Sequence, residues 1–547
     1  MELDNHVNEE GITVGDGVNR TAPAPGNSGP KNDADNMDSQ EMSPVDESEY
    51  PNVFRRAAIV LGVALAIFLT IVATAIPRIT DTFSGIDLVG WYGAAFFITL
   101  ACFHPFWGKA YQYFPLKYTF MLAVFIFEVG SLLAGVAPSS TVLIIGRAIT
   151  GVGGAGIATG GYAILTVIVR PELRPIFTGL VTTVYSIANV IGPIMGGAFA
   201  EHATWRWCFY INLPFGGTSA LIIMLFFRSS KTIRPKQRAS MKEKLSQLDP
   251  IGITLALGSL VCFARAFQVA GITKPWNSSE VIGLLVGYFV IVLTFLLSQT
   301  FLDDRAMMVK KLLRKRIVLV GMIYGFFHEG AFYTLLYALP IYFQVVGGVS
   351  PAEAGLRNLP LLLSCGLGSL AAGLLISRFK HFIPLMIWAS GGGCIGTGLI
   401  YTLGVTSPSS QWIGYQVLAG LAYGTGLPLA IIVGQAESTP EDIPSTTAML
   451  LFTFCYGSSL ALAAAQSLLD NILLEKLPYL APSVDPQAVI RAGASSISSS
   501  FPPDAVPGIV QAYLSGLRAI YIMIIALAGT ATFAAMANKW GKLKLKK

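Results

Sequence analysis

The stretch SIANVIGPIMGGAF, residues 186–199, places a proline and three glycines inside an apolar segment of helical length. In a soluble helix, Pro193 would remove a backbone donor at a cost of ~3 kcal/mol. Inside a bilayer, neighbouring helices can satisfy the freed backbone groups, and small residues such as Gly192, Gly196 and Gly197 let helices approach closely. The stretch therefore predicts a helix packed within a membrane-embedded bundle.

The whole chain has the composition of a membrane protein. Of its 547 residues, 53% are hydrophobic and only 12% are charged, whereas soluble proteins carry about 25% charged residues. The six cysteines and five histidines are dispersed singly, so the sequence predicts neither a metal site nor a disulfide framework. No stretch fits the nucleotide-binding pattern G-x-x-x-x-G-K-[ST]. We therefore predict a membrane protein that is not an enzyme, needs no cofactor and is not driven directly by ATP.

The amino-terminal segment differs from the rest of the chain. Residues 1–54 contain twelve acidic side chains against only Arg20 and Lys31, and they are rich in Gly, Pro, Asn and Ser. This composition predicts a disordered tail. The formal net charge of +6 therefore combines an acidic tail with a basic membrane body, and nucleic acid is not an expected partner.

Fourteen apolar runs approach or exceed the ~20 residues that a bilayer-spanning helix needs. They cover residues 57–79, 88–107, 118–137, 142–168, 176–199, 207–227, 250–270, 281–301, 317–345, 353–376, 383–404, 411–435, 445–469 and 517–537. Grouped as six, two and six, these runs predict an all-α polytopic protein with two six-helix halves and an inserted helix pair.

This grouping divides the chain into seven segments. They are an acidic cytoplasmic tail (1–54), an N-terminal six-helix bundle (55–227), a basic cytoplasmic loop (228–249), a linker helix pair (250–301), five helices of the C-terminal bundle (302–469), an extracellular loop (470–516), and the last helix with its basic cytoplasmic end (517–547).

Lysine and arginine set the expected orientation of the spans. The loops at 228–244 and 310–316 and the carboxyl end are rich in basic residues, whereas outer loops such as 138–141 contain none. The predicted inner loop 436–444 is an exception, with three acids and no base. We predict that both termini are cytoplasmic. The sequon that begins at Asn277 then falls in an outer loop and is a candidate glycosylation site.

A secondary transporter couples its substrate to an ion gradient through polar groups inside the membrane, where such groups are costly. Arg147 stands one turn into the run Leu143–Gly161, which also contains Gly151 and five further glycines beyond Arg147. A buried arginine costs about 2.5–3.5 kcal/mol on insertion scales, which favours a functional role. The alternative is that Arg147 extends towards the outer membrane interface.

Several motifs together resemble one known family. Gly146-Arg147 and the following glycines resemble the fourth-helix motif of the major facilitator superfamily, and Gly192-Pro193 with Gly196-Gly197 resembles its antiporter motif in the fifth helix. The segments WYGAAFFI (91–98) and WRWCFYINLPFGG (205–217) are similar to the fourteen-helix drug:proton antiporters of fungi. The resemblance covers about residues 50–470.

This resemblance implies the major facilitator fold and a multi-pass protein of the plasma membrane, with the vacuolar membrane as the alternative. It also implies an efflux pump for toxins, secondary metabolites or drugs that exchanges its organic substrate for protons. We expect the chain to work as a monomer in the lipid bilayer.

Two departures from the family pattern bear on proton coupling. Relatives carry an aspartate in the first helix where this chain has Phe68, and a hydrophobic side chain cannot carry a proton. The loop after the second helix keeps Gly108, Lys109 and Lys117 but lacks the aspartate of the family's gating motif. The proton-coupling group is therefore expected at another position.

Three residues are candidates for that group, namely Glu128 in the third span and His328 and Glu329 in the ninth. A histidine beside a buried acid is chemically suited to proton exchange. Adjacent helical residues point about 100° apart, so His328 and Glu329 are not expected to face one partner. The alternatives are structural: Glu128 would pair with Arg147 or with backbone, and the other two would be bonded within the bundle.

Aromatic residues suggest the substrate class. The cavity candidates are Tyr185, Tyr324, Tyr333 and Tyr337, together with Phe326, Phe327, Phe332 and Phe454. The alternative for each is helix packing or lipid contact. Taken together, they favour a large, flat, weakly polar solute over a sugar. Arg265, in the seventh span, would favour an anionic substrate if it faces the cavity; as part of the linker pair it would lie outside.

The sequence thus predicts an exporter of hydrophobic or amphipathic organic compounds that works by proton antiport. One alternative is a proton-coupled importer, for example of siderophores, because such importers resemble the same fourteen-helix plan. Another is a membrane sensor that does not transport, because the first-helix aspartate is missing.

Overall fold

In the computed structural model, the regular structure of the described residues is helical, apart from one isolated bridge between Ala270 and Lys274. The structure describes residues 50–69, 79, 82–83, 89–228, 240–302, 305–494 and 496–543. Most of the predicted acidic tail and residues 229–239 of the predicted basic loop lie outside these residues.

The first part of the chain and the linker region form ten helices among the described residues. They are α1 (Val53–Leu69), α2 (Val89–Tyr113), α3 (Leu116–Gly135), α4 (Ser140–Ile168), α5 (Arg174–His202), α6 (Trp207–Tyr210), α7 (Asn212–Phe226), α8 (Met241–Ser246), α9 (Pro250–Val269) and α10 (Ser279–Phe301). We call α1–α7 the first half and α9–α10 the linker pair.

The remaining described residues form the second half. Its helices are α11 (Lys310–Leu313), α12 (Arg316–Val345), α13 (Pro351–Arg357), α14 (Leu359–Phe379), α15 (Ile383–Tyr401), α16 (Ser409–Gly426), α17 (Leu429–Ala436), α18 (Ile443–Leu480), α19 (Pro486–Ala492), α20 (Ile497–Ser500) and α21 (Val506–Met536).

Twelve helical segments in the described part of the chain are long and apolar enough to cross a membrane. This agrees with the prediction of an all-α polytopic membrane protein. The two other predicted spans, 57–79 and 88–107, correspond to α1 and α2. Residues outside the described part follow α1, and α2 contains Pro105.

Two helices extend beyond their predicted spans. Helix α18 continues to Leu480, although the predicted span ends at residue 469, and α21 begins at Val506 rather than at 517. The apolar run stops at Asp470, but the helix continues, and the buried Asp470 accepts a hydrogen bond from Gln466 one turn earlier (2.9 Å). The segment between α18 and α21 is correspondingly shorter and contains α19 and α20.

Glycines allow the close approach of α3 and α4. A Cβ added at Gly153 would lie 2.6 Å from Phe127 Cα, and one at Gly146 would lie 2.7 Å from the Ala134 amide nitrogen. Side chains at these positions would force the helices apart, which is the role of small residues in membrane bundles. The glycine-rich run of α4 therefore builds this seam.

The two halves meet tightly at one end of the bundle. Gln112 Nε2 donates to the Glu441 carbonyl oxygen (2.9 Å), and Ser377 Oγ donates to the Glu172 carbonyl oxygen (2.7 Å). Nearby, a Cβ added at Gly108 would lie 3.1 Å from the Pro444 carbonyl oxygen. The two halves are therefore in direct contact at this end.

Asp249 joins the linker pair to the chain that follows it. The side chain caps α9 by accepting from the Gly252 amide (2.8 Å), and its other oxygen accepts from Gln299 Nε2 and from the Met307 amide (2.9 Å each). Gln299, near the end of α10, also accepts from the Met308 amide (2.8 Å). One buried carboxylate thus holds both linker helices and the start of the second half together.

Candidate functional site

A cavity of about 1940 Å³ lies between the two halves and the linker pair. Its walls come from α2, α4 and α5 of the first half, from α9 of the linker pair, and from α12, α17, α18 and α19 of the second half. This volume exceeds the roughly 300–1,000 Å³ of typical small-molecule pockets. The cavity can therefore hold a large organic compound.

One face of α12 presents a polar and aromatic row to this cavity. Glu329, Tyr333 and Tyr337 follow one another at four-residue spacing, so they share a helix face, and all three line the cavity. Tyr185 of α5 and Phe454 of α18 line it as well. Three of the four predicted cavity tyrosines therefore lie in its wall; their contact with a substrate stays a prediction.

Glu329 is the buried acid of this wall. It is 6% exposed, and within the described part of the chain it makes no hydrogen bond or ion pair. A carboxylate in such surroundings is costly unless it is neutralised by a proton or a cation. Glu329 is thus chemically equipped to bind either one from the cavity.

His328 and Tyr324 lie away from the cavity. The His328 ring is fully buried, and its Nε2 donates to the Tyr423 carbonyl oxygen (3.0 Å). Because a carbonyl only accepts, the other ring nitrogen, Nδ1, accepts from the Tyr324 hydroxyl (3.3 Å). The two rings also stack with centroids 4.9 Å apart. As helix geometry predicts, the two adjacent side chains diverge: His328 bonds to Tyr423 and Tyr324, whereas Glu329 lines the cavity.

Glu128 lies between α3 and α7, outside the cavity wall. Neither of its carboxyl oxygens has a hydrogen-bond partner among the described residues. A Cβ built at Gly216 would collide with Glu128 Oε1, so the carboxyl group lies directly against the α7 backbone. Neither structural alternative, a pair with Arg147 or a hydrogen bond to backbone, is formed among the described residues.

Arg147 is buried and faces α2. Its Nε donates to the Tyr92 carbonyl oxygen (3.1 Å), and its guanidinium lies 4.5 Å from the centre of the Phe96 ring. This contact resembles a cation–π interaction and replaces the lost hydration. Gly151, one turn on, lets α2 approach, since an added Cβ would lie 3.1 Å from the Leu100 amide nitrogen.

The antiporter-like motif, residues 192–197, lies within α5, which runs unbroken from Arg174 to His202. Gly192 and Gly196 are buried in this helix. The side chain of Pro193 and the surroundings of Gly197 lie outside the described part of the structure. Proline at this position therefore does not end the helix.

The remaining predicted positions lie near the linker pair or in α1. Asn277 is exposed in the turn between α9 and α10. Arg265 lines the cavity, but its charge pairs with Glu280 at 3.7 Å, and both side chains are nearly half exposed. Phe68 packs against Phe215 of α7, with ring centres 6.2 Å apart.

Two polar residues of the cavity wall were not predicted from the sequence. Gln466 and Asp470 of α18 line the cavity beside Tyr337, whose hydroxyl contacts Gln466 Oε1 while Gln466 Nε2 donates to Asp470 Oδ2 (2.9 Å). Their four-residue spacing at the end of an apolar run is the signal that could have revealed them. The contribution of α9 to the cavity wall was missed as well.

Two helical halves around a large cavity are the architecture of a secondary transporter. Residues 58–464 match the family profile of the Major Facilitator Superfamily, and the chain belongs to this family. This confirms the resemblance found in the sequence.

Curated fungal relatives are similar over most of their length. The "MFS-type transporter grgE" of a Penicillium species is 42% identical over 500 residues, which cover 90% of this chain and 88% of the relative. The "Probable efflux pump gsfJ" of Penicillium aethiopicum is 41% identical over 503 residues, covering 90% and 89%. The "MFS-type efflux pump MFS1" of Arthroderma benhamiae is 37% identical over 500 residues, covering 90% and 92%.

Solved structures share the fold. A bacterial homolog of the human lysosomal transporter Spinster aligns with a TM-score of 0.55 at 17% identity, over 88% of this chain and 96% of that one. The proton:xylose symporter XylE aligns with a TM-score of 0.52 at 13% identity, over 86% and 94%. At these identities the likeness concerns the fold alone.

Proposed function

We propose that this chain is a secondary active transporter that exports hydrophobic or amphipathic organic compounds in exchange for protons. The observation that carries the proposal is the large aromatic-walled cavity between the halves, with the buried acid Glu329, which has no hydrogen bond or ion pair to any other described residue, in its wall. The fungal relatives named as efflux pumps support export as the direction.

Glu329 is the group that we assign to proton coupling. A bare carboxylate is costly in surroundings without water, so this group has to be neutral whenever the cavity is closed on both sides. Uptake of a proton from one side and its release to the other then links each cycle to the proton gradient. Phe68 leaves the first helix without such a group, which supports a carrier on α12.

The topology that we propose has fourteen spans, because α1 and α2 add to the twelve apolar helices at the predicted positions. Both termini are cytoplasmic in this arrangement, and the seven segments predicted from the sequence keep their order. The tightly packed end near Gly108 and Glu441 then faces the cytoplasm, and the cavity opens outward.

Asn277 is exposed on the outer side, where it can be glycosylated. The plasma membrane is the proposed location and the monomer the working unit.

The direction and the coupling can be tested together in vesicles. The purified full chain is reconstituted into liposomes, the membrane potential is clamped, and uptake of the dye rhodamine 6G is followed with an acidic or an alkaline interior. Antiport predicts accumulation only in acid-inside vesicles, whichever way the protein is inserted. Accumulation in alkaline-inside vesicles would indicate symport and contradict the proposal, as would no accumulation under either gradient.

Two matched variants identify the proton carrier. Glu329→Gln keeps the shape of the side chain but cannot ionise, so we expect loss of gradient-driven uptake. Glu128→Gln makes the same change outside the cavity wall, and we expect uptake to persist. Full gradient-driven uptake by Glu329→Gln would remove this residue as the essential carrier.

A further inference from the structure

The linker helix α9 forms one wall of the cavity rather than an outer appendage. Leu260, Phe263, Ala264, Phe267 and Gln268 line the cavity, and they recur at intervals of three and four residues, which places them on one helix face. The partner helix α10 lies outside it, with side chains such as Phe289 66% exposed. An inserted helix pair thus adds surface to the space where the substrate is expected.

The cavity surface of α9 is aromatic. The rings of Phe263 and Phe267 stack with centroids 4.3 Å apart and planes 25° from parallel. Tyr288 of α10 packs against Phe263 (5.1 Å), and Trp276 packs edge-on against Phe267 (5.8 Å). These neighbours fix both rings in place, so the rings form a preorganised surface.

The neighbouring wall of the cavity belongs to α2 and carries small side chains. Gly90, Gly93 and Ala94 line the cavity together with Phe97, which is 44% exposed. A Cβ added at Gly93 would meet nothing within 4 Å. A stacked aromatic pair beside a wall of small residues suits a flat ring, because offset stacking and edge contacts favour planar partners.

Four contacts hold α9 and the turn after it to the second half. Ser259 Oγ and the Tyr456 hydroxyl lie 2.9 Å apart, and Asn471 Nδ2 donates to the Ala270 carbonyl oxygen (3.1 Å). Asn471 also accepts from Trp276 Nε1 (3.2 Å), and Gln487 Nε2 donates to the Ile272 carbonyl oxygen (3.3 Å). The aromatic pair is therefore fixed relative to α18.

We propose that Phe263 and Phe267 of the linker helix, together with Phe97 of α2 in the same cavity, form an aromatic subsite that binds a planar polycyclic ring of the transported compound. The inference rests on the proposed export function, because it names the substrate class. The subsite lies in the same cavity as Glu329, so a suitable substrate combines a flat aromatic system with a polar group.

The test compares two organic cations that differ in shape. Rhodamine 6G has a planar fused ring, whereas tetraphenylphosphonium is a propeller without an extended flat ring system to stack on the aromatic pair. Binding of each to the purified full chain in detergent is measured for the wild type, Phe267→Ala and Phe267→Trp. We expect Phe267→Ala to raise the Kd for rhodamine 6G roughly tenfold through lost stacking and apolar contact. We expect less than about a twofold change for tetraphenylphosphonium, and we expect Phe267→Trp to retain rhodamine binding.

Phe289→Ala is the matched control, because it removes an exposed phenylalanine from the other linker helix. An unchanged Kd for rhodamine 6G in Phe267→Ala, an equal loss for both cations, or no rhodamine binding to the wild type would each overturn the subsite. Binding to the wild type without gradient-driven uptake in vesicles would instead contradict the export function and leave the subsite intact. Equal melting temperatures for Phe267→Ala and Phe289→Ala exclude misfolding as the cause.

Discussion

The seam between α3 and α4 offers a quantitative test of the packing. In the variant Gly153→Ala, the added methyl carbon would lie 2.6 Å from Phe127 Cα, whereas carbon atoms prefer a separation of about 3.5–4.0 Å. The helices must therefore move apart by about 1 Å, and a gap of that size forfeits up to about half of the dispersion energy of each contact. We expect a loss of stability of about 1–3 kcal/mol, as for other overpacked cores.

Buried thiols provide the assay for this variant. Cys102, Cys208 and Cys365 are free and buried, so a thiol-reactive dye labels them when the bundle opens on heating. The control is Gly217→Ala on α7, where an added Cβ meets nothing within 4 Å, and we expect its stability to stay within about 0.5 kcal/mol of the wild type. Labelling of Gly153→Ala at the same temperature as Gly217→Ala would refute the packing argument.

Two further substitutions separate packing from coupling. Gly196→Leu adds a large side chain at a buried position of α5; we expect membrane insertion to be normal and dye uptake to be lost, and normal uptake would contradict a packing role. His328→Phe removes two buried hydrogen bonds, and leaving their partners unpaired costs about 1–3 kcal/mol each. We expect a lower melting temperature with an unchanged pH dependence of uptake, and a shifted pH dependence would give His328 a role in coupling.

Hydropathy predicted the helices well because a bilayer imposes both length and composition on each span. The same criterion failed at the end of α18, since Asp470 ends the apolar run while the helix continues. Hydropathy averages over all faces of a helix, whereas the cost of a charge depends on the one face where it lies. A polar residue that faces a cavity therefore looks like a helix end when only the sequence is read.

The site was harder to predict because several helices of this protein are apolar on every side. Periodicity correctly indicated that His328 and Glu329 diverge, but it could not say which of them faces the cavity. Glu128 and Glu329 look equivalent in sequence, and only the neighbours of each helix separate them: α3 turns its acid towards Gly216 of α7, whereas α12 turns its acid inward. The position of α9 depends on contacts with residues such as Asn471 that lie some 200 positions away in the chain.

The carboxylate of Asp249 has a consequence for how the polypeptide can be divided. Because it bonds to α9, to α10 and to the Met307 amide, the linker pair belongs with the helices that follow it. Two gene fragments that meet upstream of this residue would keep Asp249 in the same fragment as all of these partners. Fragments that meet after α10 would instead separate Asp249 from one of its partners. The natural place to split this transporter for co-expression, or to exchange its halves with those of a relative, therefore lies before the linker pair.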